Sequence, residues 1–459
     1  MTVTSSTLFG TDGVRGIPGT APLDERTLVG LGVAVVRTLG SDDAPVRVCL
    51  GRDTRESGPW VAQQLVRGLV WAGAQVTDGG VLSTPALACA TRDGGFDAGL
   101  VVSASHNPFQ DNGVKVFTRT GEKADDDLES RLAATALSDR WSVPPAADMD
   151  AVSESVAADY VTRVTGLFDG VPIPAGFRLV LDCANGATSA LAPQVFRAVG
   201  FGPTVLHDRP DGRNINLACG STHPESLAHA VVDQQARLGA AFDGDGDRVV
   251  FVDHRGAVVD GDAVLLIAAR RLLAAGRLPH RGVVATVMSN IGLDRALRAD
   301  GMALHRCAVG DRAVWSEMTR RGLGLGGEQS GHIIVADHLP TGDGLATALL
   351  IIRAVIETGR ELSELAADLV ASPQVLVNVR VRERVPLDGL PAVSRLVRAA
   401  ERQLADAGRV LVRYSGTEPL LRVMIEGPDQ TTIQGLADEI AGQVEADVGL
   451  PDPQEEPCV

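Results

Sequence analysis

The stretch VRVCLGRDTRESGPWVAQQLVRGLVWAGAQVTDGG, residues 46–80, decides the fold. An apolar run of strand length opens it, and a polar turn leads into a helical pattern. Gly73 closes the helix, and a second apolar run follows. Strand, helix, glycine stop and strand make a βαβ crossover. The same unit recurs as FRLVLDCANGATSALAPQVFRAVGFGPTVLHD (177–208, stop at Gly200) and as GVVATVMSNIGLDRALRADGMALHRCAVGD (282–311, stop at Gly301). Three copies imply three related α/β domains with mixed sheets, over residues 1–145, 155–256 and 257–370. The chain then changes character. QVLVNVRVR (374–382) reads as a strand, a helix is expected from about Leu390 to Ala407, and two strands flank the Gly turn of RVLVRYSGTEPLLRVMIEG. A final helix from about Thr432 to Ala446 completes a smaller α+β domain, residues 374–450. The Pro/Ala/Asp-rich stretch 138–150 reads as a linker, and the tail PDPQEEPCV as disordered.

Composition bounds the function. The 459 residues carry 42 Lys plus Arg against 58 Asp plus Glu, a formal charge of −16. That excludes a general nucleic-acid or anionic-membrane surface. An anionic substrate must be held by local arginine clusters. No run of about 18 apolar residues predicts a membrane span, and the amino terminus does not read as a signal peptide. Six scattered cysteines without a CxxC pair read as free thiols of a reducing cytoplasm. Only Lys115 and Lys123 are lysines, so Lys115, in a polar Gly/Asn loop, is a candidate for a task arginine cannot do.

Four runs concentrate chemistry. In FDGDGDRVVFV (242–252), Asp243, Asp245 and Asp247 alternate with glycines between two apolar strands. Three carboxylates in five residues repel unless a cation neutralises them, and all-oxygen donors suit Mg²⁺. An EF-hand fails, because the twelfth position is His254. A haloacid-dehalogenase-type DxD nucleophile fits less well, since Asp247 stands where Thr or Val is needed. In LVVSASHNPFQDNGVKVF (100–117), a strand feeds a loop with Ser105 beside His106, which reads equally as a nucleophile or as a plain Ser/Asx turn. RYSGTEPLLR (413–422) offers two guanidinium forks, two hydroxyls and backbone amides to a phosphate, although a simple hairpin turn explains it slightly better in isolation. GLGLGGEQSGHIIVADHLPTGDGL (322–345) matches GxGxxG formally. A strand follows the glycines, so a dinucleotide site is rejected; Glu328, Ser330 and His332 suit sugar hydroxyls instead, although a strained Gly turn explains the run equally well in isolation. A metal, a nucleophile, a phosphate cradle and a hydroxyl-binding loop, each in a different domain, point to a central cleft for a phosphorylated sugar.

These residues resemble a known family. TLFGTDGVRG, SASHNPFQDNGVKVF, DGDGDR, GGEQSGH and RYSGTEPLLR are similar to the motifs of the α-D-phosphohexomutases. GRDTRESG, CANGA, NIN followed by CGSTHPE, and TVMSN resemble the bacterial phosphoglucosamine mutase subgroup. The resemblance implies an isomerase acting through a phosphoserine at Ser105, with one Mg²⁺ held by Ser105, Asp243, Asp245 and Asp247. It implies reversible conversion of glucosamine 6-phosphate to glucosamine 1-phosphate through a hexosamine 1,6-bisphosphate, feeding UDP-N-acetylglucosamine and cell-wall precursors. The alternative is a phosphomannomutase/phosphoglucomutase; Gln329 favours the amino sugar by subgroup resemblance. Arg15, Lys115 and Arg248 are expected around the transferring phosphate, and Glu328 and Ser330 at the sugar hydroxyls. Arg413, Ser415, Gly416, Thr417 and Arg422 are expected at the non-reacting phosphate. Lys115, His332 and Asp311 remain open as general base. Tyr414 departs from the small, Pro or Lys residue usual in the family, which puts a fine contact there in doubt. The expected partner is a small phosphosugar, with no nucleic acid or membrane, and the chain is expected to act in the cytoplasm as a monomer or homodimer. A phosphosugar-binding protein without catalysis is the reading from another class.

Overall fold

The computed structural model describes residues 8–10, 12–40, 44–138, 141–144, 152–153, 156–415 and 419–450. Most of the expected linker and all of the tail lie outside them. The chain divides into two compact bodies: residues 1–288 with 302–368, and residues 289–301 with 369–459.

The first body contains three sheets. Strands β1 (Val14–Gly16), β2 (Arg47–Arg52), β3 (Gln75–Val81), β4 (Ala98–Val102), β5 (Asn112–Thr118) and β6 (Val152–Ser153) form a six-stranded sheet in the order β1-β5-β4-β2-β3-β6. Strands β7 (Leu179–Asp182), β8 (Thr204–Leu206), β9 (Leu238–Phe242), β10 (Val249–Asp253) and β11 (Val258–Val259) form the second, in the order β11-β10-β9-β7-β8. Strands β12 (Gly282–Thr286), β13 (Ala303–Cys307), β14 (Leu325–Gly327) and β15 (Ile333–Val335) form the third, in the order β13-β12-β14-β15. Each sheet joins parallel βαβ pairs to an antiparallel edge, as in β2/β4 against β4/β5. The expectation of mixed-sheet α/β domains is met. Strands β4, β9 and β12 are buried along their whole length, which explains why they read as continuous apolar runs.

The glycine stops act as expected. Gly73, Gly200 and Gly301 have φ of 98°, 110° and 68°, a left-handed turn at the helix end that a Cβ would strain. The connections deliver four loops to the carboxyl ends of β2, β4, β9 and β14, the edge where open α/β sheets bind ligands.

The second body is the smaller α+β domain. Strands β16 (Gln374–Arg380), β17 (Arg409–Tyr414) and β18 (Leu420–Glu426) pair antiparallel in the order β16-β18-β17, with helices Pro391–Leu404 and Gln430–Val448. The helix Ile291–Ala299, read in the sequence as part of the third repeat, groups with this body. The cause is local: Asn290 exchanges hydrogen bonds with Ser372 (3.0 and 2.9 Å), and the fully buried Glu426 accepts the Ile291 amide at 3.2 Å.

Close backbone approach fixes the first sheet's helical cover. Helix Gly58–Trp71 lies against helix Glu25–Leu39 so tightly that a Cβ on Gly68 would stand 2.0 Å from the Val29 carbonyl oxygen. Gly68→Ala is expected to cost about 1–3 kcal/mol by overpacking. It should lower the thermal midpoint of the first body; an unchanged midpoint contradicts this packing.

Candidate active site

The serine loop leaves the buried strand β4 and turns at once. Ser105 has φ of 52°, a left-handed conformation rare for a residue with a Cβ. Hydrogen bonds from three sides hold it there. The Ser103 hydroxyl donates to Asp53 (2.6 Å) and accepts the Ser105 amide (2.9 Å). The fully buried Arg55 guanidinium pairs with Asp53 (2.8 Å) and donates to the carbonyls of Ser105 (2.9 Å), Asn107 (2.8 Å), Asp111 (2.9 Å) and Pro108. The Asn216 amide donates to the carbonyls of Ser105 (2.9 Å) and Asn107 (3.1 Å). With the backbone fixed, the Ser105 hydroxyl donates to Asp243 Oδ2 at 2.6 Å. Sequence reasoning quoted the GRDTRESG and NIN motifs but missed the roles of Arg55 and Asn216. A charged side chain beside an apolar strand was the available signal.

The acid loop joins β9 to β10, whose register pairs Phe242 with Val249. Gly244 approaches the serine loop so closely that a Cβ would lie 2.5 Å from the Ser105 carbonyl oxygen. All three aspartates are buried, and one carboxylate oxygen from each lies within 4.8 Å of the others. Asp245 Oδ2 accepts from the Thr84 hydroxyl (2.6 Å) and from Lys115 Nζ (2.8 Å). Asp247 Oδ2 accepts from Lys115 at 3.3 Å, and Asp243 Oδ1 from the Arg248 amide at 3.2 Å. Asp245 Oδ1 and Asp247 Oδ1 are buried with no hydrogen-bond partner among the described residues. Burial and the charges of Asp247 and Asp245 push the Asp243 carboxyl well above its usual range, so the trio cannot be fully ionised alone. Orphaned oxygens and mutual repulsion both fit a hard divalent cation.

Positive groups surround the trio. Lys115 Nζ also reaches Asp12 at 3.3 Å, and Asp12 binds Lys123 (2.7 Å) and Arg15. Burial favours the neutral Lys115 amine, but Asp12, Asp245 and Asp247 outweigh it and hold the group well above the ordinary lysine range. Lys115 is therefore a proton-bearing donor in this arrangement. Arg15 Nη1 donates to the Ala104 carbonyl (3.1 Å), and Arg248 Nη1 lies 3.3 Å from His106 Nδ1. Burial, with Arg248 and Arg15 nearby, pushes His106 down to about 4, so the ring beside the serine is neutral near pH 7.

The other two candidate bases are enclosed. His332 Nε2 accepts the Gly342 amide (3.0 Å), and Nδ1 stands 3.6 Å from Asp247 Oδ1. With Nε2 already engaged, Nδ1 is the ring atom that faces the trio, at a distance too long for a hydrogen bond. The half-buried Asp311 carboxylate pairs with Lys123. Lys123 had no role in the sequence reading; its partners lie 111 and 188 residues away.

The fourth loop follows β14. Glu328 is buried and accepts the Gly310 amide at 3.0 Å, and Ser330 is exposed. The Gln329 amide donates to Asp260, the cap of helix Gly261–Ala274, at 3.1 Å, so it is occupied within the fold. In the second body, Arg413 and Arg422 stand directly opposite on β17 and β18. Burial and Arg422 lower the Arg413 pKa; like charges facing across a ladder favour a bound anion. Ser415 closes this hairpin with its amide on the Leu420 carbonyl (2.8 Å). Gly416 and Thr417 lie outside the described residues. Tyr414, the departure from the family pattern, is anchored through its hydroxyl on the Val385 carbonyl at 2.6 Å.

The chain is similar to known proteins over nearly its whole length. Four family profiles cover the chain: the phosphoglucomutase/phosphomannomutase alpha/beta/alpha domains I (residues 6–142), II (158–256) and III (260–372), and the C-terminal domain (376–443). A phosphoglucosamine mutase of Solibacter usitatus is 46% identical over 447 residues, 96% of this chain and 99% of that one. One from Moorella thermoacetica is 47% identical over 434 residues, 94% and 97% of the two chains. Among solved structures, a phosphoglucomutase/phosphomannomutase family protein of Burkholderia thailandensis superposes with a TM-score of 0.80 at 26% identity, covering 98% of this chain and all of that one. An Aspergillus fumigatus N-acetylphosphoglucosamine mutase, solved with GlcNAc-6P and magnesium, shares the fold at a TM-score of 0.66 and 18% identity over 96% and 95% of the two chains.

The Thr84 hydroxyl touches an acid of the trio, not the open oxygens. Thr84→Val should weaken divalent-cation affinity about 10–100-fold, as loss of a ligand's supporting hydrogen bond does, with the metal-free thermal midpoint held. Calorimetric titration with Mg²⁺ checks this; equal affinity contradicts the supporting role.

Proposed function

The chain belongs to the phosphoglucomutase/phosphomannomutase family, and from this premise we infer that it is a phosphoglucosamine mutase carrying its phosphoryl group on Ser105. The observation that carries the reading is the Ser105 hydroxyl, 2.6 Å from a buried acid trio with two unsatisfied oxygens. The curated relatives of 43–47% identity bear that name over nearly the whole chain. Asp243, Asp245, Asp247 and an oxygen on Ser105 hold the cation. Mg²⁺ suits these hard donors, and when bound it neutralises charge on the phosphoryl group.

The residues do the following. Ser105 delivers its phosphoryl group to O1 of glucosamine 6-phosphate: the Ser105 O–P bond breaks, the O1–P bond forms and the O1 proton ends on the freed Ser105 oxygen. The 1,6-bisphosphate turns over and the reverse exchange follows at O6: the O6–P bond breaks, the Ser105 O–P bond forms again, the Ser105 proton passes to O6, and glucosamine 1-phosphate is released. Phosphoryl transfer needs alignment and charge stabilisation more than covalent help, and Arg15, Lys115 and Arg248 provide the positive field. Glu328 and Ser330 bind sugar hydroxyls. Arg413, Ser415, Gly416, Thr417 and Arg422 hold the phosphate that does not react. The His332 imidazole adds polarity beside Asp247, 3.6 Å away, and Asp311 fixes Lys123 beside Asp12. No helix among the described residues is long and apolar enough to cross a membrane, and we place the enzyme in the cytoplasm.

Assays of glucosamine, glucose and mannose phosphates side by side test the substrate. Glucosamine phosphate should give the highest kcat/KM; a higher value for mannose 1-phosphate contradicts the assignment. Ser105→Ala should leave less than a few per cent of turnover in a folded protein. Chelation should abolish activity and Mg²⁺ restore it.

A further inference from the structure

A second cluster of ligand-type side chains lies in the middle domain, apart from the acid trio. Asp182 ends β7, His207 follows β8, and Cys219 precedes the turn at Gly220. One donor atom from each lies within 4.8 Å of the other two. Asp182 is fixed by two backbone amides, Ala184 at 2.9 Å on Oδ1 and Gly220 at 3.0 Å on Oδ2. Each oxygen keeps a further lone pair. His207 Nδ1 is buried 3.1 Å from Asp182 Oδ1, yet in an orientation that makes no hydrogen bond among the described residues. The Cys219 thiol is fully buried, and its sulfur is 3.9 Å from the Asn185 amide nitrogen.

We propose that Asp182, His207 and Cys219 form a binding site for a zinc-type divalent cation, distinct from the acid trio. One sulfur, one imidazole nitrogen and one carboxylate oxygen is a borderline-soft set that selects Zn²⁺ over Mg²⁺, the reverse of the all-oxygen trio. Zinc bonds of about 2.0–2.3 Å set tetrahedral ligands roughly 3.3–3.8 Å apart, so the cluster needs only a small contraction. His207 is half-buried, so the cluster lies near the surface of the domain although its donor atoms are covered. Among the described residues, five of the ten non-glycine residues with positive φ, Ala184, Asn185, His207, Asn216 and Ala218, lie in the loops that carry the cluster. Such backbone persists only where its surroundings over-determine it, and a metal cross-linking the three loops does so. The link reaches the reaction centre: Cys219 follows by three residues Asn216, whose amide holds the Ser105 and Asn107 carbonyls. The cation is structural, bracing the clamp on the serine loop, and the proposal is independent of which sugar the enzyme takes.

Cobalt titration of the full-length, reduced protein in saturating Mg²⁺ tests it, because only a thiolate ligand gives a sulfur-to-cobalt charge-transfer band. The expected result is such a band saturating at one cobalt per chain, competed away by Zn²⁺ and accompanied by a higher thermal midpoint. Cys219→Ser should abolish the band, His207→Gln should weaken cobalt affinity at least tenfold, and Cys183→Ala should retain both. Absence of the band in the unmodified protein overturns the site. So does a band that survives Cys219→Ser, or undiminished affinity in His207→Gln, which remains informative if the cysteine variant does not fold.

Discussion

Three carboxylates placed inside a protein repel one another, and that repulsion organises this molecule. Asp243, Asp245 and Asp247 are buried in a single turn. Thr84, Lys115 and the Arg248 amide satisfy part of the trio from three directions. The residual deficit falls on two buried oxygens, Asp245 Oδ1 and Asp247 Oδ1. A divalent cation held there would remove both the unsatisfied oxygens and the repulsion, so what costs the trio energy by itself is what fits it to bind a cation.

The Ser105 loop is held by a complementary device. Arg55 and Asn216 bind carbonyls of the serine loop rather than its hydroxyl. Fixing the backbone from behind leaves the Ser105 oxygen to face the trio. It also keeps a non-glycine residue in a left-handed conformation that would otherwise relax. Arg55 is itself buried against Asp53, so its charge is paired and hydrogen-bonded, as burial requires. Preorganisation of this kind suits phosphoryl transfer, where misalignment of the reacting oxygen is costly.

Much of this was legible in the sequence because its signals are local. Apolar runs mark β4 and β9, the stops at Gly73, Gly200 and Gly301 mark helix ends, and three aspartates in five residues mark a cation turn. What escaped is long-range. Arg55 and Ser105 are 50 residues apart, Asn216 and Ser105 111, and Thr84 and Asp245 161. No periodicity encodes such pairs. The same limit explains helix Ile291–Ala299, whose βαβ pattern is correct while its packing is set by Ser372 and Glu426. Gln329 is legible in the sequence only as a subgroup marker; its structural partner, Asp260, lies 69 residues away and no local pattern announces it.

The central claim is that Ser105 receives a phosphoryl group while facing the acid trio. The most direct test is to incubate the protein with glucosamine 1,6-bisphosphate labelled at phosphorus and map the labelled peptide. The account requires one label per chain, on Ser105, that fails to appear when divalent cation is chelated. Label on another residue, or full turnover with no covalent label at all, contradicts it.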